Sequence, residues 1–359
     1  MLYKTDVDEA RCGLTAWWRG EDVGRPVLGF RAPRDEPLAA VHVPPEPAAP
    51  RDCHLDMDYV LAVQEAGFAR ERFFGDLIPY FDVNIGPGSM ATYLGSEPGF
   101  DRRTVWYNPC IDHENPEGAP LPVFDDDNPW WRRHLDMVRA AADRARGRCL
   151  ASIPDLIEGL DIVASLRGTM ELLYDLNDRA DWVKRWVDRI GELYFDYFDP
   201  LYEIVKDEDG GCAFTAFHIW APGRMAKVQC DFAYMIGPET FAEFAVPALE
   251  RQCDRLDYSV FHLDGPACIR HVPHLVGIES LNAIQWTPGA GNPDVGDPCW
   301  YDLYHRVLDG GKSLLLIGTD WQRAERVAAE CGTRGIFFVV SPVASEAEGE
   351  ALLARAASW

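Results

Sequence analysis

The sequence has few basic residues for its length. Its 359 residues include 34 Lys and Arg against 58 Asp and Glu, which gives a formal net charge of −24 at neutral pH. Nucleic acids and anionic membranes bind positively charged surfaces, so neither is expected as a partner. The charge instead suits a neutral or cationic small ligand, or a protein partner with a basic docking surface.

Long apolar runs and paired cysteines are also lacking. No apolar run approaches the roughly 18 residues of a transmembrane helix. The first residues, MLYKTDVDEARCGLTAWW, include early acids and lack the apolar core of a signal peptide. The ten cysteines are scattered, without a C-x-x-C pair. We therefore expect a cytoplasmic protein with reduced cysteines, most of them small buried side chains.

Short apolar runs alternate with helical segments along most of the chain. The runs are YFDVNIG (80–86), CLASIP (149–154), AFTAFHIW (213–220), VQCDF (228–232), YSVFHLDG (258–265), NAIQW (282–286), SLLLIG (313–318) and GIFFVV (335–340). Most lack polar alternation, as is typical of parallel strands buried on both faces. The pattern predicts an α/β protein, a (β/α)8 TIM barrel over residues 76–359 with an N-terminal segment, residues 1–75, packed on it. The runs at 213–220 and 228–232 also fit one barrel strand plus a hairpin.

A doubly wound sheet is the alternative architecture, but no G-x-G-x-x-G follows an early strand to bind a dinucleotide. Helix boundaries are marked by residue type. Asn128 and Pro129 suit an N-cap and first helical residue, and Pro238 suits another first turn. Gly332 suits a C-cap. Residues 178–205 carry an apolar stripe at helical spacing, which indicates a helix facing a core.

Polar or aromatic side chains stand at the end of one predicted strand after another. In a parallel barrel the carboxyl ends of all strands meet at one mouth, so we expect these side chains to line a single pocket. Each also has a simpler explanation, because a strand-end Asp often caps the next helix and a Trp often belongs to the core. The candidates are Asp155, His218, Trp220, Asp231, His262, Asp264, Gln285 and Trp286.

Three further features leave alternatives open. Arg167 either clamps a carboxylate or phosphate of a ligand or pairs with Glu171 on the same helix. His271 and His274 are expected at the surface or at helix ends. The glycine-rich stretch GAGNPDVGD (289–297) has no Lys-Ser/Thr ending, so it suits a mobile lid better than a phosphate loop.

Several segments carry a resemblance to a known family. They are AWWRGE, LRGTMELLYDL, VQCDFAYMIGPETFAEFAVPAL, FHLDGP and NAIQWTPGAG. In these segments and their order the chain resembles the uroporphyrinogen decarboxylase superfamily, which also contains cobalamin-dependent (corrinoid) methyltransferases. The resemblance implies a TIM barrel and two candidate activities.

Porphyrinogen decarboxylation is the less favoured of the two. The decarboxylases grip the carboxylates of their substrate with an arginine-rich N-terminal segment, and that segment is absent here. Arg11, Arg19 and Arg25 lie nearby with a different spacing. A polyanionic substrate also suits a protein of net charge −24 poorly.

The methyltransferases of the superfamily hold zinc with a His-x-Cys pair and a late cysteine, and the zinc activates a thiol. His262 matches the histidine, but Asp264 stands where the cysteine would be, and GIFFVVSPVAS (335–345) contains no cysteine. The resemblance therefore implies either a zinc site on His262 and Asp264 or no metal, and a methyl donor or acceptor other than a thiol.

The resemblance thus implies a methyltransferase acting between a small methylated or methoxylated molecule and a corrinoid. A partner protein would carry the corrinoid, because the chain has no Asp-x-His-x-x-Gly segment. The expected catalytic residues are His262, Asp231 and Asp264. The expected substrate-binding residues are Asp155, Arg167, His218, Trp220, Gln285 and Trp286. A carbohydrate-active barrel with opposed carboxylates and a non-catalytic ligand-binding barrel remain alternatives, and the sequence predicts no oligomeric state.

Overall fold

The computed structural model describes residues 1–214 and 216–359 as a mixed α/β protein. The strands are β1 Val27–Pro33, β2 Glu71–Gly75, β3 Tyr80–Phe81, β4 Glu97–Phe100, β5 Val105–Asn108, β6 Leu150–Ile153, β7 Cys212–Phe214, β8 Ile219–Ala221, β9 Met225–Gln229, β10 Tyr258–Asp264, β11 Ala283–Thr287, β12 Ser313–Ile317 and β13 Ile336–Val339. The helices are α1 Val7–Trp18, α2 Asp52–Leu55, α3 Met57–Arg70, α4 Met90–Tyr93, α5 Pro129–Ala145, α6 Gly159–Arg167, α7 Thr169–Asp178, α8 Ala180–Val205, α9 Pro238–Phe244, α10 Val246–Cys253, α11 Val272–Gly277, α12 Tyr301–Asp309, α13 Trp321–Cys331 and α14 Glu346–Ala356. Short 3₁₀ helices span Pro116–Gly118, Asp231–Met235, Pro266–His271 and Pro298–Trp300.

The larger sheet has seven strands in the order β2-β1-β13-β12-β11-β10-β9. The strands from β9 to β1 are parallel neighbours, and β2 pairs antiparallel with β1 at one edge. The register places His262 opposite Gln229 on one side and Gln285 on the other. Because opposed residues of a sheet project to the same face, this row of three polar side chains faces one interior.

The smaller sheet has the order β3-β6-β7-β8, in which β7 and β8 form an antiparallel hairpin. The expected strand at 213–220 includes residue 215, which lies outside the described residues; the rest of that run forms this hairpin. Since β7 already pairs with β6 and β8, it has no backbone edge left for β9, although the two strands lie side by side. Within the described residues the sheet is therefore not closed, and the predicted TIM barrel is not confirmed.

The N-terminal segment contributes to the larger sheet directly. Its strand β1 pairs in parallel with β13, and β2 ends at Gly75, where the segment was expected to end. Arg25 donates two hydrogen bonds, of 2.6 and 2.7 Å, to the fully buried carboxylate of Asp76. That carboxylate also accepts the backbone N–H of Leu28, which joins β1 to the chain after β2.

The predicted helix boundaries at Asn128, Pro129, Pro238 and Gly332 are confirmed. The Asn128 side chain accepts the N–H groups of the first turn of α5, in which Pro129 is the first residue. Along α8, the predicted apolar stripe is buried against the core. None of the helices over residues 1–214 and 216–359 combines the length and the apolar composition of a membrane span.

Candidate functional site

A cavity of about 610 Å³ opens at the carboxyl ends of β6, β9 and β10. Ligand sites of α/β proteins lie at this end of parallel strands, because loops of variable sequence follow the strands there. The apolar part of the lining includes Pro87, Ile157, Ala164, Phe217, Phe232 and Met235. The polar part includes Asp155, Asp161, Lys227, Gln229, Asp231 and His262.

Asp231, His262 and Asp264 form a compact cluster beside this cavity. One ligand atom from each of the three lies within 4.8 Å of the others. His262 and Asp264 share a face of β10 because they are two residues apart on a strand, and Asp231 begins the 3₁₀ helix after β9. The cluster thus offers two carboxylates and one imidazole, a donor set that zinc and related divalent metals accept.

Gln285 determines which nitrogen of His262 is free. The Gln285 Nε2 group donates to the Trp286 carbonyl and to Thr287 Oγ1, both at 2.9 Å. Its Oε1 therefore faces His262 Nδ1, which must donate the hydrogen bond between them. The lone pair of the neutral ring is then on Nε2, as a metal ligand requires. Burial, with the nearby charge of Lys227, lowers the pKa of His262, so the ring is neutral at pH 7.

Lys227 and Gln229 bring a hydrogen-bonded chain into the same site. Lys227 Nζ donates to Asp155 Oδ2 at 2.7 Å and to Gln229 Oε1. Gln229 Nε2 in turn donates to Asp161 at 2.8 Å and to Asp231 at 3.1 Å. Both side chains are almost fully buried. The network therefore ties Asp155 and Asp231, two predicted site residues, to each other through groups that were not predicted.

Two acids of the loop and helix after β6 support this network. Asp161 accepts the backbone N–H groups of Asp231 and Phe232 at 2.8 and 2.9 Å, which fixes the start of the 3₁₀ helix. Burial and the neighbouring Asp231 raise the pKa of Asp161 to about 6. Glu158 accepts the Gln229 N–H at 2.9 Å, and its burial raises its pKa to about 8. Glu158 is therefore protonated at neutral pH.

Desolvation by the cavity walls raises the pKa of Asp231, and Lys227 opposes this shift while Asp264 and Asp155 add to it. The carboxylates of Asp231 and Asp264 repel each other at this separation. A divalent cation between them would remove the repulsion. The cluster therefore fits a divalent cation, which would relieve this repulsion.

Two residues of the cavity wall have a backbone conformation that side chains rarely adopt. Ile157 and Ala216 have φ angles of 56° and 66°. Positive φ is unfavourable for residues with a Cβ atom, and most unfavourable for a β-branched one such as isoleucine. Such strain concentrates at binding and catalytic sites, where the surrounding structure imposes it.

Both tryptophans that were predicted to bind substrate lie elsewhere. Trp286 is buried and packs edge-on against Trp300, with ring centroids 5.1 Å apart. It faces away from the cavity because its strand neighbour Gln285 faces inward. Trp220 lies on the return strand β8, and its Nε1 donates at 2.9 Å to Asp207, which precedes β7. Trp220 is therefore near the amino-terminal end of β7, away from the site.

Arg167, His218 and His271 each contact neighbouring protein groups. Arg167 donates to Asp175 at 2.8 Å, rather than to Glu171, and is buried away from the cavity lining. His218 lies in the turn between β7 and β8, within 3.4 Å of the Tyr80 hydroxyl, and burial lowers its pKa to about 4. His271 is buried against Phe241 and lies between the 3₁₀ helix Pro266–His271 and α11, so it stands at a helix end, one of the two expected places.

Every second residue from 227 to 231 is polar: Lys227, Gln229 and Asp231. This alternation is the sequence signal from which Lys227 and Gln229 could have been predicted as site residues. The apolar run VQCDF predicts a strand that starts at residue 228, one residue after Lys227. The structure begins β9 at Met225. All three residues then fall on one face, because side chains alternate along a strand.

Comparison with known proteins finds similarity among solved structures. No family model matches the chain, and no curated protein matches its sequence. Among solved structures, the chain is similar to a methyltransferase from Methanosarcina mazei, with a TM-score of 0.59 over 98% of both chains and 13% sequence identity. At this identity the likeness shows a shared fold over the whole chain.

Proposed function

We propose that this protein is an enzyme that transfers a methyl group between a small methylated or methoxylated molecule and a corrinoid carried by a partner protein. The observation that carries the proposal is the cluster of Asp231, His262 and Asp264 at the wall of a substrate-sized cavity. The shared fold with a methyltransferase supports the reaction class. The sequence resembles the uroporphyrinogen decarboxylase superfamily, which supports a fold in which the two sheets together form one open (β/α)8 barrel. The same resemblance supports a cytoplasmic enzyme.

Asp231, His262 and Asp264 would hold a divalent metal such as zinc. When bound, the ion would supply positive charge beside the heteroatom that carries the methyl group. Oxygen and nitrogen ligands form a harder site than thiolates, so a substrate oxygen or nitrogen suits it better than a thiol. The lowered pKa of His262 favours the ligand role over that of a general acid, because the ring carries no spare proton at neutral pH.

The rest of the cavity would bind and orient the substrate. Ile157, Phe217 and Phe232 form an apolar wall that excludes water from the reacting methyl group. Asp161 holds the backbone of Asp231, and Gln285 holds the ring of His262, so both side chains are fixed before substrate binds. This preorganisation suits a reaction in which the methyl carbon must lie in line between two heavy atoms.

Decarboxylation of a porphyrinogen is less well supported. Among the described residues lining the cavity, Lys227 is the one cation, and it faces Asp155, Asp161 and Asp231. Lys227 already neutralises Asp155 at 2.7 Å. A substrate with several carboxylates would therefore meet net repulsion in this cavity.

The test is a methylation assay with a reduced corrinoid protein and a panel of methoxylated compounds and methylamines, followed by the absorbance change of cobalt. We expect the wild-type protein to methylate cobalt from at least one substrate. His262→Ala and Asp231→Asn should each lose at least about 10²-fold in rate. They should also lose metal, measured by elemental analysis of protein purified without chelator.

Asp302→Asn is the matched control, since Asp302 is an exposed acid on α12. It should retain both metal and rate. Turnover of a porphyrinogen or a glycoside without any methylation of cobalt would reject the methyltransferase proposal. Full methyl transfer by His262→Ala would leave the reaction standing and reject the assigned site.

A further inference from the structure

A second cavity, of about 630 Å³, opens at the amino-terminal end of β6, whereas the first cavity lies at the carboxyl end of that strand. Leu150 and Ala151, the first two residues of β6, belong to the wall of the second cavity. Asp155, which follows the strand, belongs to the first. About 13 Å of extended chain separates Ala151 from Asp155. No described residue lines both cavities, so they are two separate sites.

Part of the lining of the second cavity is apolar. It is contributed by α1, by the last turns of α5 and α8, and by the start of β6. These side chains are Val7, Ala142, Ala145, Leu150, Ala151 and Val205. A surface of this kind suits an aliphatic or aromatic group of a small ligand.

Arg11, on α1, brings to this cavity a buried donor that lacks an acceptor. Its Nη2 donates to Asp207 Oδ2 at 2.7 Å, and its Nη1 lies 3.9 Å from Asp209 Oδ2. The guanidinium carbon lies 5.2 Å from the centre of the Trp220 ring. The Nε atom is buried and has no hydrogen-bond partner among the described residues. Since a buried N–H without an acceptor is unfavourable, a ligand carboxylate at Nε would stabilise the protein.

The carboxylate of Asp207 leaves little negative charge to repel such a ligand. Besides Arg11, it accepts Trp220 Nε1 at 2.9 Å and the backbone N–H groups of Asp209 and Gly211 at 3.1 and 2.7 Å. Its charge is therefore neutralised by Arg11 and by three further donors.

The end of α8 supplies groups that bind a cation. The carbonyls of Ile204 and Val205, in the last turn, accept no hydrogen bond from the described residues. The carboxyl-terminal end of a helix carries a partial negative charge, which favours a cation there. Glu208, three residues after the helix, also lines the cavity and has no partner among the described residues.

The formal charges of the lining balance. Three cations, Arg11, Arg146 and Lys206, stand against three acids, Asp207, Glu208 and Asp209. Arg146 and Lys206 each already pair at 2.7 Å with an acid of their own segment, Asp143 and Glu203. A ligand with a single charge of either sign would leave one set of these groups without a counterpart, whereas a zwitterion would serve both.

We propose that the second cavity binds an α-amino acid with an apolar side chain. The ligand carboxylate accepts the free N–H of Arg11 Nε. The ammonium group donates to the Glu208 carboxylate and to the free carbonyls at the end of α8. The apolar side chain packs against Val7, Leu150 and Val205. This inference stands apart from the proposed function, because it concerns a different cavity.

The experiment compares ligands that differ by one charged group. Isothermal titration calorimetry measures the affinity of L-leucine, of 4-methylpentanoate, which lacks the ammonium group, and of 3-methylbutylamine, which lacks the carboxylate. L-Phenylalanine tests a larger side chain. We expect leucine to bind at least about tenfold more tightly than either analogue, because each analogue loses one charge-assisted set of hydrogen bonds.

Two variants assign the charged groups. Arg11→Met should weaken leucine about tenfold and leave 3-methylbutylamine unchanged. Glu208→Gln should weaken leucine about threefold, because this acid is exposed, and leave 4-methylpentanoate unchanged. Arg185→Met on α8 and Glu250→Gln on α10, both at exposed positions, are the matched controls and should bind leucine like wild type.

Arg11→Met removes a partner of Asp207, so its fold is checked by circular dichroism. Glu208→Gln, at an exposed position, tests the same site without that risk.

His262→Ala separates the two cavities, and it should bind leucine like wild type. Loss of leucine binding in His262→Ala, with normal binding in Arg11→Met and Glu208→Gln, would place the amino acid in the first cavity and overturn the inference. Equal affinities for leucine and both analogues would also overturn it, as would the absence of binding of leucine and phenylalanine at up to about 10 mM. None of these outcomes bears on methyl transfer, which is measured separately.

Discussion

At the scale of single residues, Gln285 decides whether His262 can bind a metal. Its amide is oriented by two hydrogen bonds, so that it accepts from His262 Nδ1 and leaves Nε2 free. We expect Gln285→Leu to lower zinc affinity about 10–100-fold, because the ring loses its fixed tautomer and orientation. Competition with a chromophoric chelator measures this change. Gln322→Leu, at an exposed position of α13, should leave the affinity unchanged.

Glu158 gives a pH dependence of stability. Burial raises its pKa from an ordinary value of 4.5 to about 8 in the folded protein. Between these pH values the unfolded chain has lost the proton and the folded chain keeps it, so this group makes folding less favourable as pH rises. We expect Glu158→Gln to remove this decrease in stability, because glutamine does not ionise. The free energy of unfolding of the variant, relative to wild type, should rise by roughly 3–5 kcal/mol between pH 5 and pH 8.

Urea unfolding at the two pH values measures this difference. Glu330→Gln, at an exposed position of α13, is the control and should show no such change. A constant difference between Glu158→Gln and wild type across the pH range would mean that Glu158 is already ionised in the folded protein.

The residues of the site differ in how readily the sequence reveals them. Asp231, His262, Asp264 and Gln285 could be predicted because each ends an apolar run. Lys227 could not, because a lysine inside a strand is assigned to a loop unless its burial and partner are known. Its partner Asp155 is 72 positions away in the sequence. No short-range pattern records such a pairing.

At the scale of elements, Asn128 joins α4 to α5. Its Oδ1 accepts the N–H groups of Trp130 and Trp131, and its Nδ2 donates to the carbonyl of Tyr93 at 3.2 Å. We expect Asn128→Ala to lower the free energy of unfolding by about 1–2 kcal/mol. Asn128→Asp keeps the capping oxygen and loses the Nδ2 donor, so its free energy of unfolding should lie between those of Asn128→Ala and wild type. Equal stability of Asn128→Ala and wild type in urea would show that the cap is dispensable.

The strands also explain why the sequence predicts Trp220 and Trp286 at the pocket, although neither lies there. A run such as AFTAFHIW reads as one strand, because no Gly, Pro or Asn marks the turn that divides it. The return strand β8 carries Trp220 toward the amino-terminal end of β7. For Trp286 the strand was predicted, but its two faces were not distinguished, because a fully buried strand lacks polar alternation.

At the scale of the whole molecule, the order of strands and helices could be predicted and the closure of the sheet could not. Alternating apolar and helical segments indicate parallel strands with covering helices. Closure depends on which strand edges pair, and here β8 occupies the edge of β7 that β9 would need. A three-residue strand such as β8 leaves almost no sequence signal.

The net charge of −24 predicts that the rate of reaction with a protein partner depends on salt. If the methyl acceptor is a corrinoid on a protein with a basic docking face, opposite charges speed their encounter, and salt screens this attraction. We expect kcat/KM for the corrinoid protein to fall about tenfold or more as ionic strength rises from about 0.02 to 0.3 M, with kcat nearly unchanged. Free cobalamin, which lacks the docking face, is the control acceptor and should show little dependence on salt. A rate with the protein partner that is flat or rising with salt would mean that the acidic surface does not guide the encounter. Apolar contacts, for example at the exposed Met170, Tyr174 and Tyr234, would then hold the partner instead.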